Sequence, residues 1–316
     1  YSKNLRNWMQ PDKRHVNPTH LPAKAWVQYQ PLGVIGVITP WNYPLLLAVS
    51  PLICALAAGN RVMLKMSSFT PKTGAVMKQM MAEAFNEDQV AVITGGGVVS
   101  DAFSRLPFNQ ITFTGSTNVG RTVMAAAAEN LTPVLLELGG KSPAIIHESV
   151  PMKDVAERIA LGKGWNAGQT CVAPDYVFIP KGKTSEFVSA MRAAISKMYP
   201  SMLNNPDYTS IVNNKQYQRI KGYLDDAIDQ GAEIFEINPA NENFVNTRKL
   251  PVMLVSNIKQ SMQIAKNEIF GPVLMMMEYE HLEEALDYIN QRPSPLALYY
   301  FDYDDHRADF VLRNTQ

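Results

Sequence analysis

The sequence predicts an α/β protein of two domains, each a doubly wound parallel sheet. Three observations point there. Short β-branched runs alternate with helical stretches as far as Glu129. The alternation resumes on a larger scale after Gly139-Gly140. And 316 residues exceed what one small core organises.

Along the chain, the first thirty residues are polar and carry Pro11, Pro18 and Pro22, which reads as an entering helix followed by an irregular arm. GVIGVIT at 33–39 is a buried parallel strand that stops at Pro40. A helix over 45–58 is closed by Gly59-Asn60 as a C-cap. RVMLK at 61–65 is a second strand, and Ala and Met content marks 71–85 as helix. A third strand at 89–93 leads into Gly95-Gly96-Gly97. QITFT at 110–114 is a fourth and runs into Gly115-Ser116-Thr117-Asn118-Val119-Gly120, ahead of an alanine-rich helix over 121–129. Beyond the Gly-Gly hinge, helices are expected over 153–165, 186–199, 215–230, 282–291 and 305–313. Strands are expected over 176–179, 252–255, 273–277 and 296–301. The domain boundary falls near Glu137, giving domains 1–136 and 137–316.

Charge narrows the function. Lys plus Arg and Asp plus Glu are 29 each, so no basic face is offered to nucleic acid. The two cysteines are far apart and form no disulfide or CxxC framework, which fits a reducing, cytoplasmic compartment. Cys54, in the apolar run 52–56, reads as a small buried hydrophobe. The five histidines are scattered without ligand spacing, so no metal is expected. The most apolar stretch, 45–58, is interrupted by Ser50-Pro51 and is shorter than the roughly 20 residues a bilayer span needs.

Three residues invite a chemical reading. Cys171, in GQTC, sits among small and polar neighbours that leave room for a substrate; a thiolate there would attack a carbonyl, although a cysteine taken alone reads as a small buried filler and the chemical reading needs partners. Glu137 ends an apolar strand before two glycines, where desolvation would raise its pKa and suit it to general-base work; a structural partner for Lys141 is the other reading. Asn42 is fixed between Pro40 and Pro44 at a strand's C-terminal end, placed either as an oxyanion donor or as a turn asparagine. The glycine turn at 115–120 lacks the G-x-G-x-x-G spacing, because Thr117 stands where the second glycine would.

Taken together, PWNYP at 40–44, Leu64-Lys65, FTGSTNVGR, LELGGKSP, GQTCVAPDYV and EIFGPV resemble the aldehyde dehydrogenase superfamily. GQTCVAPDYV and RPSPLALYYF at 292–301 look like its class 3 branch, while LPAKAWVQYQPLGVIGVI and GNRVMLKMS look closest to coniferyl aldehyde dehydrogenases. The resemblance implies an aldehyde dehydrogenase-like fold with a nicotinamide dinucleotide-binding domain, part of an oligomerisation arm near 18–30, and a catalytic cysteine domain. It implies Cys171 as nucleophile, Asn42 as oxyanion donor and Glu137 as the base that activates water against a thioester. Thr39, Pro40, Trp41, Lys65, Ser68, Gly115, Ser116, Glu268 and Phe270 would bind NAD or NADP. The substrate would be a hydrophobic aldehyde, aromatic (coniferaldehyde) or medium to long in chain, with Tyr43 and Trp165 lining its tunnel or serving as core aromatics. A homodimer or homotetramer is implied for a full-length chain.

Two departures stand out. Many members carry a glutamate where this chain has Ser68; its loss removes a charge that would repel a 2′-phosphate, so NADP⁺ is expected to be accepted at least as readily as in glutamate-bearing relatives. Family members also extend before Tyr1 and past Gln316, so the chain is expected to be truncated at both ends. Two rivals remain: a CoA-acylating relative, which Glu137 argues against, and a catalytically silent cofactor-binding fragment.

Overall fold

The computed structural model describes residues 2–315; Tyr1 and Gln316 lie outside the described residues. The chain separates into two compact units, 1–137 and 138–316.

The first unit begins with α1 (Ser2–Trp8) and an antiparallel ribbon of β1 (Asp12–Arg14) and β2 (Ala25–Val27), in which Lys13 faces Trp26. The arm is therefore not wholly irregular. Every ribbon residue is exposed, so no one-in-two hydrophobic alternation marked it in the sequence. Then follow β3 (Val34–Ile38), α2 (Leu46–Ala57), β4 (Arg61–Lys65), α3 (Pro71–Ala84), β5 (Val90–Ile93), α4 (Gly97–Ser104), β6 (Gln110–Gly115), α5 (Thr117–Ala128) and β7 (Val134–Leu138). Among the described residues these strands form a five-stranded sheet in the order β5-β4-β3-β6-β7. The pairs β3–β4, β4–β5 and β3–β6 are parallel. Ile35, Val37, Val62, Leu64, Val90 and Val92 meet Leu52, Ala55 and Met77 in its core. Helix α2 turns Ala48, Leu52 and Ala55 inward, one face at near-helical spacing. Cys54 lies off that stripe and is exposed, contrary to the buried position expected of it. Helix α5 starts four residues earlier than expected, because Gly120 is a buried packing position within the helix rather than a breaker.

The second unit comprises β8 (Pro143–Ile146), α6 (Met152–Gly164), β9 (Tyr176–Pro180), α7 (Thr184–Met198), α8 (Asn214–Asp229), β10 (Glu233–Ile237), β11 (Val252–Ser256), α9 (Gln263–Lys266), β12 (Val273–Tyr279), α10 (Leu282–Asn290), β13 (Tyr299–Phe301) and α11 (Asp305–Arg313). Its sheet runs β10-β11-β12-β9-β8-β13. The sheet is parallel except at one edge, where β10 pairs antiparallel with β11, Ile234 opposite Val255. EIFEI at 233–237 runs from exposed Glu233 to buried Ile237 and forms a half-exposed antiparallel edge on the parallel sheet that the sequence predicts. Central strands are buried on both faces. Tyr176 and Phe178 of β9 point into one core with Met275 and Ile220, while Val177 and Ile179 point into the other with Ile159 and Phe187.

Candidate active site

In the first unit the chain leaves β3 to build β4 and β5 on one side, then returns to β6 and β7 on the other. The carboxyl ends of β3 and β6 therefore flank the point where strand order reverses, where open α/β sheets bind ligands. Ile38 pairs with both Lys65 and Phe113, so the residues just beyond these strands share one sheet edge. Thr39 to Tyr43 follow β3, Lys65 ends β4, and Gly115 and Ser116 lead from β6 into α5. Thr39 is buried, and both its N–H and its hydroxyl donate to the carbonyl of Lys65, at 3.1 and 3.3 Å. Lys65 is 2% exposed; its Nζ donates to the carbonyls of Met66 and Gly95, both at 2.8 Å, and burial lowers its pKa.

This edge suits a dinucleotide phosphate and ribose. The α5 N-terminus carries no acidic residue in its first turn, so its N–H groups and dipole present positive potential. A Cβ at Gly96 or Gly97 would meet nothing within 4 Å, so the loop beside Lys65 leaves open space. Trp41 packs against Phe69, ring centroids 6.3 Å apart. Ser68 is exposed in the turn between β4 and α3. Asn42 and Tyr43 are half-buried on the segment between β3 and α2.

In the second unit three signature segments converge. Lys141 of LELGGKSP donates to the Asp175 carboxylate and to the carbonyls of Ile264 and Asn267, each of the latter at 2.9 Å. Asp175 of GQTCVAPDYV accepts from the Ile269 N–H at 2.8 Å, in EIFGPV, and its own N–H donates to Ser142 O at 2.8 Å. Arg219 on α8 donates to the carbonyls of Glu268, at 3.2 Å, and Ile269, at 2.7 Å. Gly139 lets the Glu268 carboxylate pack close, since a Cβ there would sit 2.4 Å from one of its oxygens and displace it. Burial, and then the neighbouring Asp175, push the Glu268 carboxyl up to about 7, against the Gly140 N–H, Lys141 and Arg219, which favour its charge. Phe270 follows at φ +50°, a left-handed conformation for a bulky residue.

Cys171 is half-buried and follows a turn in which Asn166, Ala167 and Gly168 all have positive φ, 50°, 50° and 68°. A left-handed alanine costs about 1–2 kcal/mol, and Ala167 is fully buried in that state. Gly168 has no alternative: a Cβ there would lie 2.2 Å from the Gly271 carbonyl oxygen. Tyr299 donates its hydroxyl to Val172 O at 2.5 Å; burial, with the neighbouring Cys171, raises its pKa.

The unit thus packs Gly271, the residue after Phe270, against the thiol loop at Gly168. Trp165 is 59% exposed at the start of that loop. Glu137, at the end of β7, is exposed, so the desolvation expected of it is found instead at Glu268, where the carboxylate packs under Gly139 and Gly140. Sequence reasoning missed Lys141 as a hub, Asp175, Arg219 and Tyr299. Lys141, Asp175 and Tyr299 stood inside quoted motifs, whereas Arg219 gave no local signal. Among the described residues no group of three or more His, Cys, Asp or Glu is placed to hold a metal, and no helix is long and apolar enough to cross a membrane.

The aldehyde dehydrogenase family model matches residues 4–316, and the chain belongs to that family. Within it, the chain is 54% identical over 314 residues to a protein of Pseudomonas aeruginosa named "Probable coniferyl aldehyde dehydrogenase", covering 99% of this chain and 65% of that one. The chain thus spans a little under two thirds of that relative's length. The substrate-bound structure of Staphylococcus aureus AldH superposes with a TM-score of 0.92 at 36% identity, over 99% of this chain and 68% of that one. The Mycobacterium tuberculosis aldehyde dehydrogenase complexed with NAD⁺ gives 0.85 at 30% identity, over 99% and 67%.

Proposed function

We propose that the protein oxidises a hydrophobic aldehyde to its carboxylic acid with NAD⁺ or NADP⁺, using Cys171 as nucleophile. The observation that carries this reading is the turn at 166–168, whose backbone strain is spent at the residues leading to a half-buried thiol. Thr39, Lys65, Ser68 and the α5 N-terminus would hold the adenosine half of the coenzyme, with Glu268 on the nicotinamide ribose. When bound, the coenzyme supplies the acceptor for the hydride that leaves the substrate carbon.

The chain's own residues supply the rest. The Cys171 thiolate adds to the aldehyde carbon, and the oxyanion that forms accepts from the Asn42 side-chain amide and the Cys171 N–H. Loss of hydride leaves a thioester on Sγ. Glu137, exposed to solvent at the end of β7, takes a proton from water, which attacks the thioester and releases acid and thiolate. The similarity to the Pseudomonas aeruginosa relative favours coniferaldehyde as substrate.

The test is NAD(P)H formation from coniferaldehyde and from a long-chain aldehyde, with Cys171→Ala as control. Turnover that the substitution abolishes is expected. Coenzyme binding without any turnover would instead favour a chain that binds cofactor and lacks catalysis.

A further inference from the structure

Gln169 stands two residues before the thiol, and no step of the reaction just described uses it. It is 2% exposed, yet its side-chain amide is fully engaged. Nε2 donates to Asn166 O at 3.0 Å and to Ser210 O at 3.1 Å, while Oε1 accepts from the Val212 N–H at 3.0 Å. Two of these partners lie on a segment more than 40 residues away in sequence. The third closes the left-handed turn on itself: the Gln169 N–H also donates to Asn166 O at 3.1 Å, and the Asn166 amide donates back to Gln169 O at 3.1 Å.

The far segment is itself rigid. Ile211 is fully buried, and its N–H donates to Arg248 O at 2.8 Å. The Arg248 guanidinium donates to Val212 O at 2.6 Å and also to Ile211 O. On the other side of the thiol, Val172 O is held by the Tyr299 hydroxyl. Cys171 therefore lies between two fixed points, one of them a single buried amide. Left-handed backbone at Asn166 and Ala167, ahead of Gly168, is unfavourable by itself and persists only where the surroundings over-determine it. The Gln169 amide is the polar part of those surroundings.

We propose that Gln169 is a positioning residue for Cys171: by tying the left-handed turn 166–168 to the rigid segment 210–212, its amide fixes where the thiol is presented. This rests on the reading of Cys171 as nucleophile. An amide is required because the three partners are two acceptors and one donor. A glutamate of the same size keeps the acceptor for Val212 N–H and gains one donor when protonated. Methionine fills similar volume and offers none of these.

The experiment compares wild type, Gln169→Met and Gln169→Glu, with Cys171→Ala alongside. Iodoacetamide labelling of Cys171 is read against that of Cys54 by peptide mass mapping, and kcat, aldehyde KM and coenzyme dissociation constant are measured across pH. Cys54, exposed on α2 in the other unit, is the internal reference for reagent and protein concentration. In Gln169→Met the Cys171-to-Cys54 labelling ratio and kcat are expected to fall at least tenfold, with the coenzyme dissociation constant within twofold. Gln169→Glu is expected to recover part of the deficit as pH falls. A Gln169→Met protein within twofold of wild type in both ratio and kcat overturns the proposal, as does a Gln169→Glu protein no better than Met at any pH. Turnover retained by Cys171→Ala would defeat the nucleophile reading itself, and the labelling ratio, which needs no turnover, keeps the two failures apart.

Discussion

Glu268→Gln should change how stability depends on pH, in a direction the structure dictates. The Glu268 carboxyl rises from its ordinary value of 4.5 to about 7, because burial under Gly139 and Gly140 and the nearby Asp175 outweigh Lys141, Arg219 and the Gly140 N–H. Between those two values the folded chain holds a proton that the unfolded chain releases. Glu268 thus contributes stability below pH 4.5 that is progressively lost as pH rises to 7. A span of about two and a half pH units corresponds to ~3 kcal/mol, and partial solvent screening reduces it to ~2–3 kcal/mol. Glutamine keeps the size and an oxygen for the Gly140 N–H and has no proton to lose. Urea unfolding of both proteins at pH 5 and pH 8, following the transition of the second unit, should show the Glu268→Gln variant gaining ~2 kcal/mol on wild type between the two pH values. Taking the difference between the proteins cancels every other titrating group. Parallel pH dependences would refute the reasoning, because they would mean that the carboxyl is not desolvated as its packing requires.

Gly168→Ala places a Cβ against the Gly271 carbonyl in a left-handed backbone and should destabilise the second unit by about 2–5 kcal/mol in urea unfolding; a loss below ~1 kcal/mol would mean the turn relaxes freely. Asn42→Ala should lower kcat about 10²–10³-fold with coenzyme affinity kept, and steady-state kinetics showing an unchanged kcat would remove Asn42 from the oxyanion site. Ser68→Glu should lower the NADP⁺-to-NAD⁺ ratio of kcat/KM, since the new carboxylate would repel a 2′-phosphate; an unchanged ratio would show that the Ser68 turn does not face the coenzyme.

Much of the architecture could be read from local pattern. Strand 61–65 and helix 305–313 coincide with their expected bounds, because each is a strongly patterned run with clear stops. What local pattern missed was structure set by partners distant in sequence. The exposed ribbon of β1 and β2 has no hydrophobic alternation to display, and α4 begins at the last of three glycines, which read as loop. Cys54 looked buried because its neighbours are apolar, yet the inward stripe of α2 passes through Leu52 and Ala55 instead. Within the site, the motifs named the right segments without saying how they touch. Lys141, Asp175 and Gln169 stood in plain view, but their partners lie between 34 and 126 residues away or on a second segment. The desolvated carboxylate was sought at Glu137 and lies at Glu268 for the same reason: which residue packs beneath a glycine pair is a tertiary fact.

The most direct measurement of the central claim is peptide mass mapping of Glu137→Gln after mixing with coniferaldehyde and NAD(P)⁺. With the proposed base removed, the acyl group should accumulate as a thioester on Cys171 together with a stoichiometric burst of NAD(P)H. An acyl group on Cys54, or a burst with no acyl group on either cysteine, would contradict the account.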